Sequence, residues 1–428
     1  MRDRTGNRVP RDGKIFYGWW IAATFFVTLF MAASIGATHS VFFKSIVGEF
    51  GWSRTSFSTV LSVNAVIGAL LAPLWGRLVD RHGPRGVVPA GAAIVGLSMV
   101  LLSNMRSMLE AYLLYILLAF GAGGQSLVPI STALSQWFKR RRGLAIGITL
   151  VGAGVGGVAL APMASVLDGE FGWRTGYLVF GIAIWVALIP LLLLVLRRQP
   201  EDIGLLPDGD ERPSAGANAE EAAEAPPEAA GLSLGEAVRT PAFWLLALGF
   251  MLPMFAGRAI MIHLVPVITD AGISPQKAAT AYGMTVGLSI VGRFGFGYAA
   301  DKFSKRHIFA LCYLIQAVGI CFLIGLESMG PIVLVGFIVV FGCSYGGGLS
   351  LAPLLIAENF GIASMGVIFG ALGIVAMIGG ALGPIFAGSV YDAMQSYHVA
   401  FIVFLAVQLV ASVAILNCRS AVATSASD

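Results

Sequence analysis

Two arginines and two histidines stand where a charged or titratable side chain is expensive. Arg293 lies in 290-IVGRFGFGYAAD-301. Arg258 and His263 share 241-PAFWLLALGFMLPMFAGRAIMIHLVPVITDAG-272, and His39 sits in 36-GATHS-40. All four fall within long apolar runs. An arginine in the middle of a membrane span costs about 2.5–3.5 kcal/mol on insertion scales, so it faces a cavity or a partner. No Asp or Glu occurs in the body of any apolar run to pair with it. An unpaired guanidinium facing a cavity offers a planar fork to a carboxylate, so the indicated chemistry is anion recognition. The competing reading is snorkelling. Arg293 is only about 6 Å along a helix from Gly297, and Arg258, about 25 Å along from Pro241, either lines an outer vestibule or reaches outer headgroups. Histidine titrates between pH 5 and 8, which makes His263 the first candidate proton carrier and His39 the second; a hydrogen-bonded structural histidine is the alternative. Gln125 and Ser126, with Ser344 and Tyr345 at repeat-related depths, can bond a substrate carboxylate or hydroxyl, or simply a neighbouring helix. Asn64 is a weaker candidate of the same kind.

The elements that must position these residues follow from composition. The chain of 428 residues is 57% hydrophobic and only 12% charged, against about 25% charged in a soluble domain. Apolar runs of about 20 residues recur along almost its whole length, enough to cross a hydrocarbon core as helices. The chain therefore reads as an all-α membrane protein. Twelve spans are expected near 16–40, 54–75, 86–105, 110–137, 143–166, 174–196, 241–267, 276–299, 307–326, 331–356, 365–389 and 397–418. The basic N-terminal stretch lacks the pattern of a cleaved signal peptide. The four cysteines, Cys312, Cys321, Cys343 and Cys418, form no C-x-x-C pair and read as small packing residues.

Between the sixth and seventh spans, residues 199–240 are rich in Ala, Glu, Pro and Gly. This composition predicts a mostly disordered linker with a short surface helix near Leu232 to Val238. The expected organisation is a tail (1–15), a six-helix bundle (16–198), the linker (199–240), a second bundle (241–418) and a tail (419–428). Of the 27 Lys and Arg residues, 20 fall in segments that share one side of the membrane with the N-terminus. The burst Lys139–Arg142 immediately precedes an apolar run. This bias predicts both termini in the cytoplasm.

The two halves repeat. At an offset of 221, Gly76, Asp80, Arg81 and Arg85 fall on Gly297, Asp301, Lys302 and Arg306, and Phe120-Gly121 on Phe341-Gly342. At an offset of 223, Gly143, Gly147, Gly156 and Gly157 fall on Gly366, Gly370, Gly379 and Gly380. Twelve transmembrane helices in two six-helix pseudo-repeats are the layout of a rocking transporter with its site between the halves.

The segment 76-GRLVDRHGPR-85 resembles the loop signature of the major facilitator superfamily, with a weaker copy at 297-GYAADKFSKR-306. The resemblance implies that Gly76, Asp80, Arg81, Arg85, Asp301 and Lys302 form a cytoplasmic conformational latch, with Arg141 and Arg142 beside them. The stretch 137-WFKRRRGLAIG-147 is similar to the monocarboxylate transporter signature at the fourth-to-fifth span connection, and 17-YGWWIA-22 and 41-VFFKSIVGEFGWS-53 extend the match. Arg293 is similar to that family's substrate arginine. The family's bacterial branch and the related oxalate–formate exchangers are the nearest pattern. Ser289 stands where animal-type members carry an Asp, and 36-GATHS-40 where they carry a Lys, so their proton-coupling pair is absent. The second cation of the exchangers, in the eleventh span, is also missing.

Gly152-x-Gly154-x-x-Gly157 matches a dinucleotide fingerprint but lies inside an apolar run with no strand before it, so helix packing accounts for it better. No Walker sequence, metal-ligand cluster or catalytic triad is visible. The expectation is a non-enzymatic secondary transporter of small organic anions, needing no cofactor, metal or nucleic acid. It would act as a monomer in the lipid bilayer of the cell's inner membrane. Its substrate would be lactate- or pyruvate-like and carried with protons. An anion antiporter using Arg258 as a second cation is the alternative. A non-transporting membrane receptor on the same fold is the third reading.

Overall fold

A computed structural model describes residues 16–209 and 231–418. The tails 1–15 and 419–428 and the linker segment 210–230 lie outside it. Among the described residues nine helices are long and apolar enough to cross a membrane. The pair Arg54–Leu70 and Ala72–His82, bent by 43°, supplies a tenth span. The run Arg142–Val195 reverses at Gly172, whose φ of +81° suits glycine, and so supplies two spans. Pro275–Lys302 is helical over 28 residues but carries more polar side chains. Twelve spans result: α1 (Tyr17–Val41), α2 (54–82), α3 (Pro84–Leu102), α4 (108–137), α5 (142–171), α6 (173–195), α7 (Pro241–Asp270), α8 (Pro275–Lys302), α9 (Lys305–Ile324), α10 (Ile332–Phe360), α11 (Met365–Met394) and α12 (His398–Asn417).

Local chemistry sets several of the ends. Ser53, Ser107 and Thr240 cap α2, α4 and α7, each accepting a backbone N–H three residues on. The helix α4 breaks at Gln125 and Ser126, between Met108–Gly124 and Leu127–Trp137. The helix α7 runs unbroken through Pro253 and Gly257; in a bundle, neighbouring helices compensate for the lost N–H. The short helix expected in the linker forms at Leu234–Ala237, closed by a Ser233–Glu236 capping box. Residues 199–209, read from composition as disordered, instead form two short turns of 3-10 helix.

In the first half α1 packs on α5, α3 on α4 and α2 on α4; in the second, α7 packs on α11, α8 on α10 and α9 on α12. The halves meet where α5 crosses α8 and α2 crosses α11. The glycines of the apparent dinucleotide motif are contacts here. A Cβ on Gly152 would strike the Phe26 carbonyl of α1, one on Gly154 would strike Ile290 of α8, and one on Gly157 would come within 2.7 Å of Val286. The α8–α10 crossing is tighter still, since a Cβ on Gly292 would overlap the Cys343 carbonyl and one on Gly346 the Ser289 carbonyl. Gly292→Ala is therefore expected to destabilise the C-terminal half by about 1–3 kcal/mol, the cost of overpacking. Thermal melting of the purified variant checks this; an unchanged transition would refute the close crossing.

Candidate functional site

Midway between the halves, α1, α5, α7, α8 and α10 enclose a cavity of about 320 Å³. Its polar lining is His39, Arg258, Tyr282 and Tyr345; Gly36, Ala153 and Val286 are among the apolar remainder. Gly36 makes room for Tyr282, whose hydroxyl lies 2.8 Å from where a Cβ would sit. The Nε atom of Arg258 and Nε2 of His39 are buried without a hydrogen-bond partner. Leaving a buried polar group unmade costs about 1–3 kcal/mol, so both are poised for something that enters. Arg293 does not line this cavity, yet it stands beside it. Tyr345 lies within electrostatic reach of both Arg258 and Arg293, and the Arg293 side chain runs against Gly346. The Arg293 Nε is likewise buried and unpartnered.

The other sequence candidates separate from this group. Ser344 is fully buried and its hydroxyl donates to the Val340 and Phe341 carbonyls of its own helix, 2.9 and 3.1 Å away, so it has no donor left for a ligand. Gln125 is buried in the break of α4 with both amide atoms unpartnered, and neither it nor the adjoining Ser126 lines the cavity. Asn64 donates to the Tyr115 carbonyl at 2.7 Å. His263, read from the sequence as the first proton carrier, is instead held from both ring nitrogens: Nδ1 lies 2.9 Å from the Tyr397 hydroxyl, and Nε2 lies 3.1 Å from both the Ser58 hydroxyl and the Pro384 carbonyl. Phe43 covers its ring at 4.9 Å between centroids. It is outside the cavity and belongs to a seam between the halves.

That seam closes one face of the molecule. Arg54 donates to Asp270 at 2.6 Å and to the Tyr397 hydroxyl at 2.7 Å, with its guanidinium 3.4 Å from the Tyr391 ring centroid. Lys44 pairs with Asp270 at 2.7 Å. The backbone N–H groups of Arg54 and Thr55 and the Thr55 hydroxyl converge on Asp392 at 2.6–3.0 Å. Deeper, Ser62 donates to the Ala381 carbonyl at 2.6 Å. Arg54, Asp270, Asp392 and Tyr397 were not singled out by sequence reading. A signal existed: Asp270 is the repeat mate of Glu49 at offset 221. Glu49 is satisfied within its own half, by Arg174 and by the Trp173 indole at 2.7 Å. The Arg174 ion pair and the indole bond hold the Glu49 carboxyl below its usual range. In the second half the position matching Arg174, at offset 224, is His398, and the cations for Asp270 come from across the seam.

On the opposite face lie the residues expected to form the latch. Asp80, Arg81, Arg85, Arg141, Arg142, Asp301 and Lys302 are exposed, Gly76 is half-buried, and no side-chain hydrogen bond or ion pair joins these residues across the halves among the described residues. Lys302 lies over the Tyr298 ring of its own helix, at 4.5 Å. The Arg54 face is tied across the halves by the bonds of its seam. Beside the latch loops, the Asp208 carboxylate accepts the backbone N–H groups of Lys139, Arg140 and Arg141 at 2.9, 2.8 and 3.4 Å. Partial burial opposes its ionisation, but the N–H groups of Arg140, Lys139 and Arg141 outweigh that and hold its carboxyl below the usual range. A depressed carboxyl stabilises at neutral pH and loses that contribution as pH falls through its folded value. Asp208→Asn at neutral pH is expected to lower the protection of the amides at 139–141 against exchange, relative to their intrinsic rates; unchanged protection would refute the tether.

A bundle of two similar halves, with a polar cavity between them and one face tied across the halves, defines a membrane transporter of the alternating-access kind. The model of the Major Facilitator Superfamily matches residues 24–384, with a second match over 290–423, and the chain belongs to that superfamily. It is 26% identical over 401 residues to monocarboxylate transporter 13 of Bos taurus, covering 92% of this chain and 87% of that one. It is 23% identical over 384 residues to the oxalate:formate antiporter of Oxalobacter formigenes, covering 86% and 85%. Among solved structures, a bacterial homolog of the human lysosomal transporter Spinster, inward-facing and unoccupied, superposes with a TM-score of 0.69 at 19% identity over 97% of this chain and 98% of that one. Such proteins move solutes and are not enzymes.

Proposed function

We propose that the protein is a secondary active transporter of small organic anions of the monocarboxylate class. The observation that carries this is the pair Arg258 and Arg293, each with a buried, unpartnered Nε, on either side of Tyr345. No carboxylate stands in the body of any span to neutralise them, so the countercharge has to come from the cargo. The Tyr345 and Tyr282 hydroxyls make no hydrogen bond to a described residue and supply neutral donors to the same anion. The names of the relatives, monocarboxylate transporters and an oxalate:formate antiporter, support the same class.

The Lys and Arg bias favours an orientation with the Asp80 face and both termini in the cytoplasm, and the membrane in this reading is the cell's inner membrane. On that assignment the tied Arg54 face is external. Rocking the halves about the cavity would break the Arg54 seam and bring the 76–85 and 297–306 loops together as the latch. An uncompensated anion moving against a negative interior costs about 2.3 kcal/mol per 100 mV, so a co-transported cation or an exchanged anion is required, and a proton is the cation this reading favours. His39, in the cavity beside Arg258, is the side chain placed for that proton; the cargo's own carboxyl is the other carrier.

Two arginines flanking one tyrosine also suit a dianion, which favours anion exchange as a second reading. Uptake of labelled L-lactate into proteoliposomes under an inward proton gradient tests the first, with Arg293→Ala as control. Gradient-driven uptake lost in the variant is the expected result. Uptake only into vesicles preloaded with oxalate or lactate would establish exchange instead, and silence in both formats would remove both readings.

A further inference from the structure

A second cavity, of about 260 Å³, lies within the C-terminal half. Phe250 and Met254 of α7, Phe309 and Tyr313 of α9, Tyr345 of α10 and Phe369 of α11 form its walls. Tyr345 lines this recess and the cationic cavity alike. The two spaces run along shared helix faces. Met254 precedes Arg258 by four residues on α7, and Tyr345, Gly348 and Ala352 are three and four apart on α10. The polar inventory of the recess is small. The Gln316 amide is already engaged, donating to the Ser344 carbonyl at 3.1 Å and accepting from Gln408 at 2.6 Å. The hydroxyls of Tyr313 and Tyr345 remain without a partner among the described residues.

We infer that the transported anion carries an aromatic ring. Its carboxylate meets Arg258 and Arg293 beside Tyr345, and its ring enters the recess between Phe250, Phe309 and Phe369. An engineered apolar cavity of about 150 Å³ takes up benzene, so a space of about 260 Å³ holds one ring with a short arm. Lactate brings nothing to fill it, and an unfilled apolar cavity forfeits the dispersion contacts of its lining. This inference rests on the transport reading of the cationic cavity and specifies the cargo of that same site.

The test uses the full chain in proteoliposomes, with 3-phenyllactate and L-lactate as probes, because they differ by one phenyl group. Burying the ring should raise kcat/KM for phenyllactate over lactate by about tenfold to a hundredfold. Gly373 lines the recess and has nothing within 4 Å of the position a Cβ would take. Gly373→Leu should therefore fill the recess and abolish the preference for the ring, read as the ratio of phenyllactate to lactate uptake. Ala376→Leu, one turn along, repeats the test if the first variant does not fold. Lactate carried as well as phenyllactate by the wild type would overturn the inference. Phenyllactate uptake indifferent to both fillings would do the same, and in either case the transport reading would stand. No uptake of either anion by the wild type would remove both.

Discussion

Arg54→Ala is expected to open the tied face. Arg54 is 8% exposed and joins α2 to Asp270, Tyr391 and Tyr397 of the second half. Removing one member of a buried ion pair costs about 3–5 kcal/mol. Lys44 remains on Asp270 and the site is not fully dry, so about 2 kcal/mol is the appropriate figure, a roughly thirtyfold shift in the balance between tied and untied states. A cysteine at Ser62, which is buried behind the seam, should then react faster with a polar maleimide by a similar factor. Arg54→Lys should restore only part of the protection, because an ammonium lacks the planar fork that bonds Asp270 and Tyr397 together and stacks on Tyr391. Unchanged labelling in Arg54→Ala would mean the seam does not govern access. Arg174→Ala is the informative contrast: it removes the same kind of pair within one half, and should lower stability without changing labelling at position 62.

The second large effect is expected at Arg258. Its guanidinium lines the central cavity and its Nε has no protein partner. Arg258→Ala should lower kcat/KM for anion uptake by a hundredfold or more, about 3 kcal/mol, in keeping with loss of a charge-assisted hydrogen bond in a low-dielectric site. Arg258→Lys keeps the charge but not the bidentate geometry, and should recover only a small part. Melting should change little or rise, since an orphaned buried group disappears. A variant that keeps wild-type uptake would sink the assignment and leave Arg293 as the carboxylate ligand by itself.

The sequence alone determined a great deal here, because the bilayer imposes simple rules. A span needs about 20 apolar residues, so all twelve helices, their order and the doubling of the halves were legible from run length and the 221–223 residue offsets. Arg293 and Arg258 were legible for the same reason, as cations in apolar runs with no acid beside them. The tertiary structure decided what each polar group is free to do. Ser344 and Tyr345 are adjacent and equally polar in sequence, but Ser344 bonds its own helix while Tyr345 separates two cavities. His263 and His39 look alike in sequence, but Ser58, Pro384 and Tyr397 come from distant parts of the chain to bond both ring nitrogens of His263, while Nε2 of His39 has no partner among the described residues. Arg54 looked like an ordinary loop cation; its bond to Asp270 spans 216 residues of chain and depends on how the halves lean. Run length and repeats are local properties of the chain, whereas hydrogen-bond satisfaction and cavity lining depend on which helices meet, and only the folded bundle decides that.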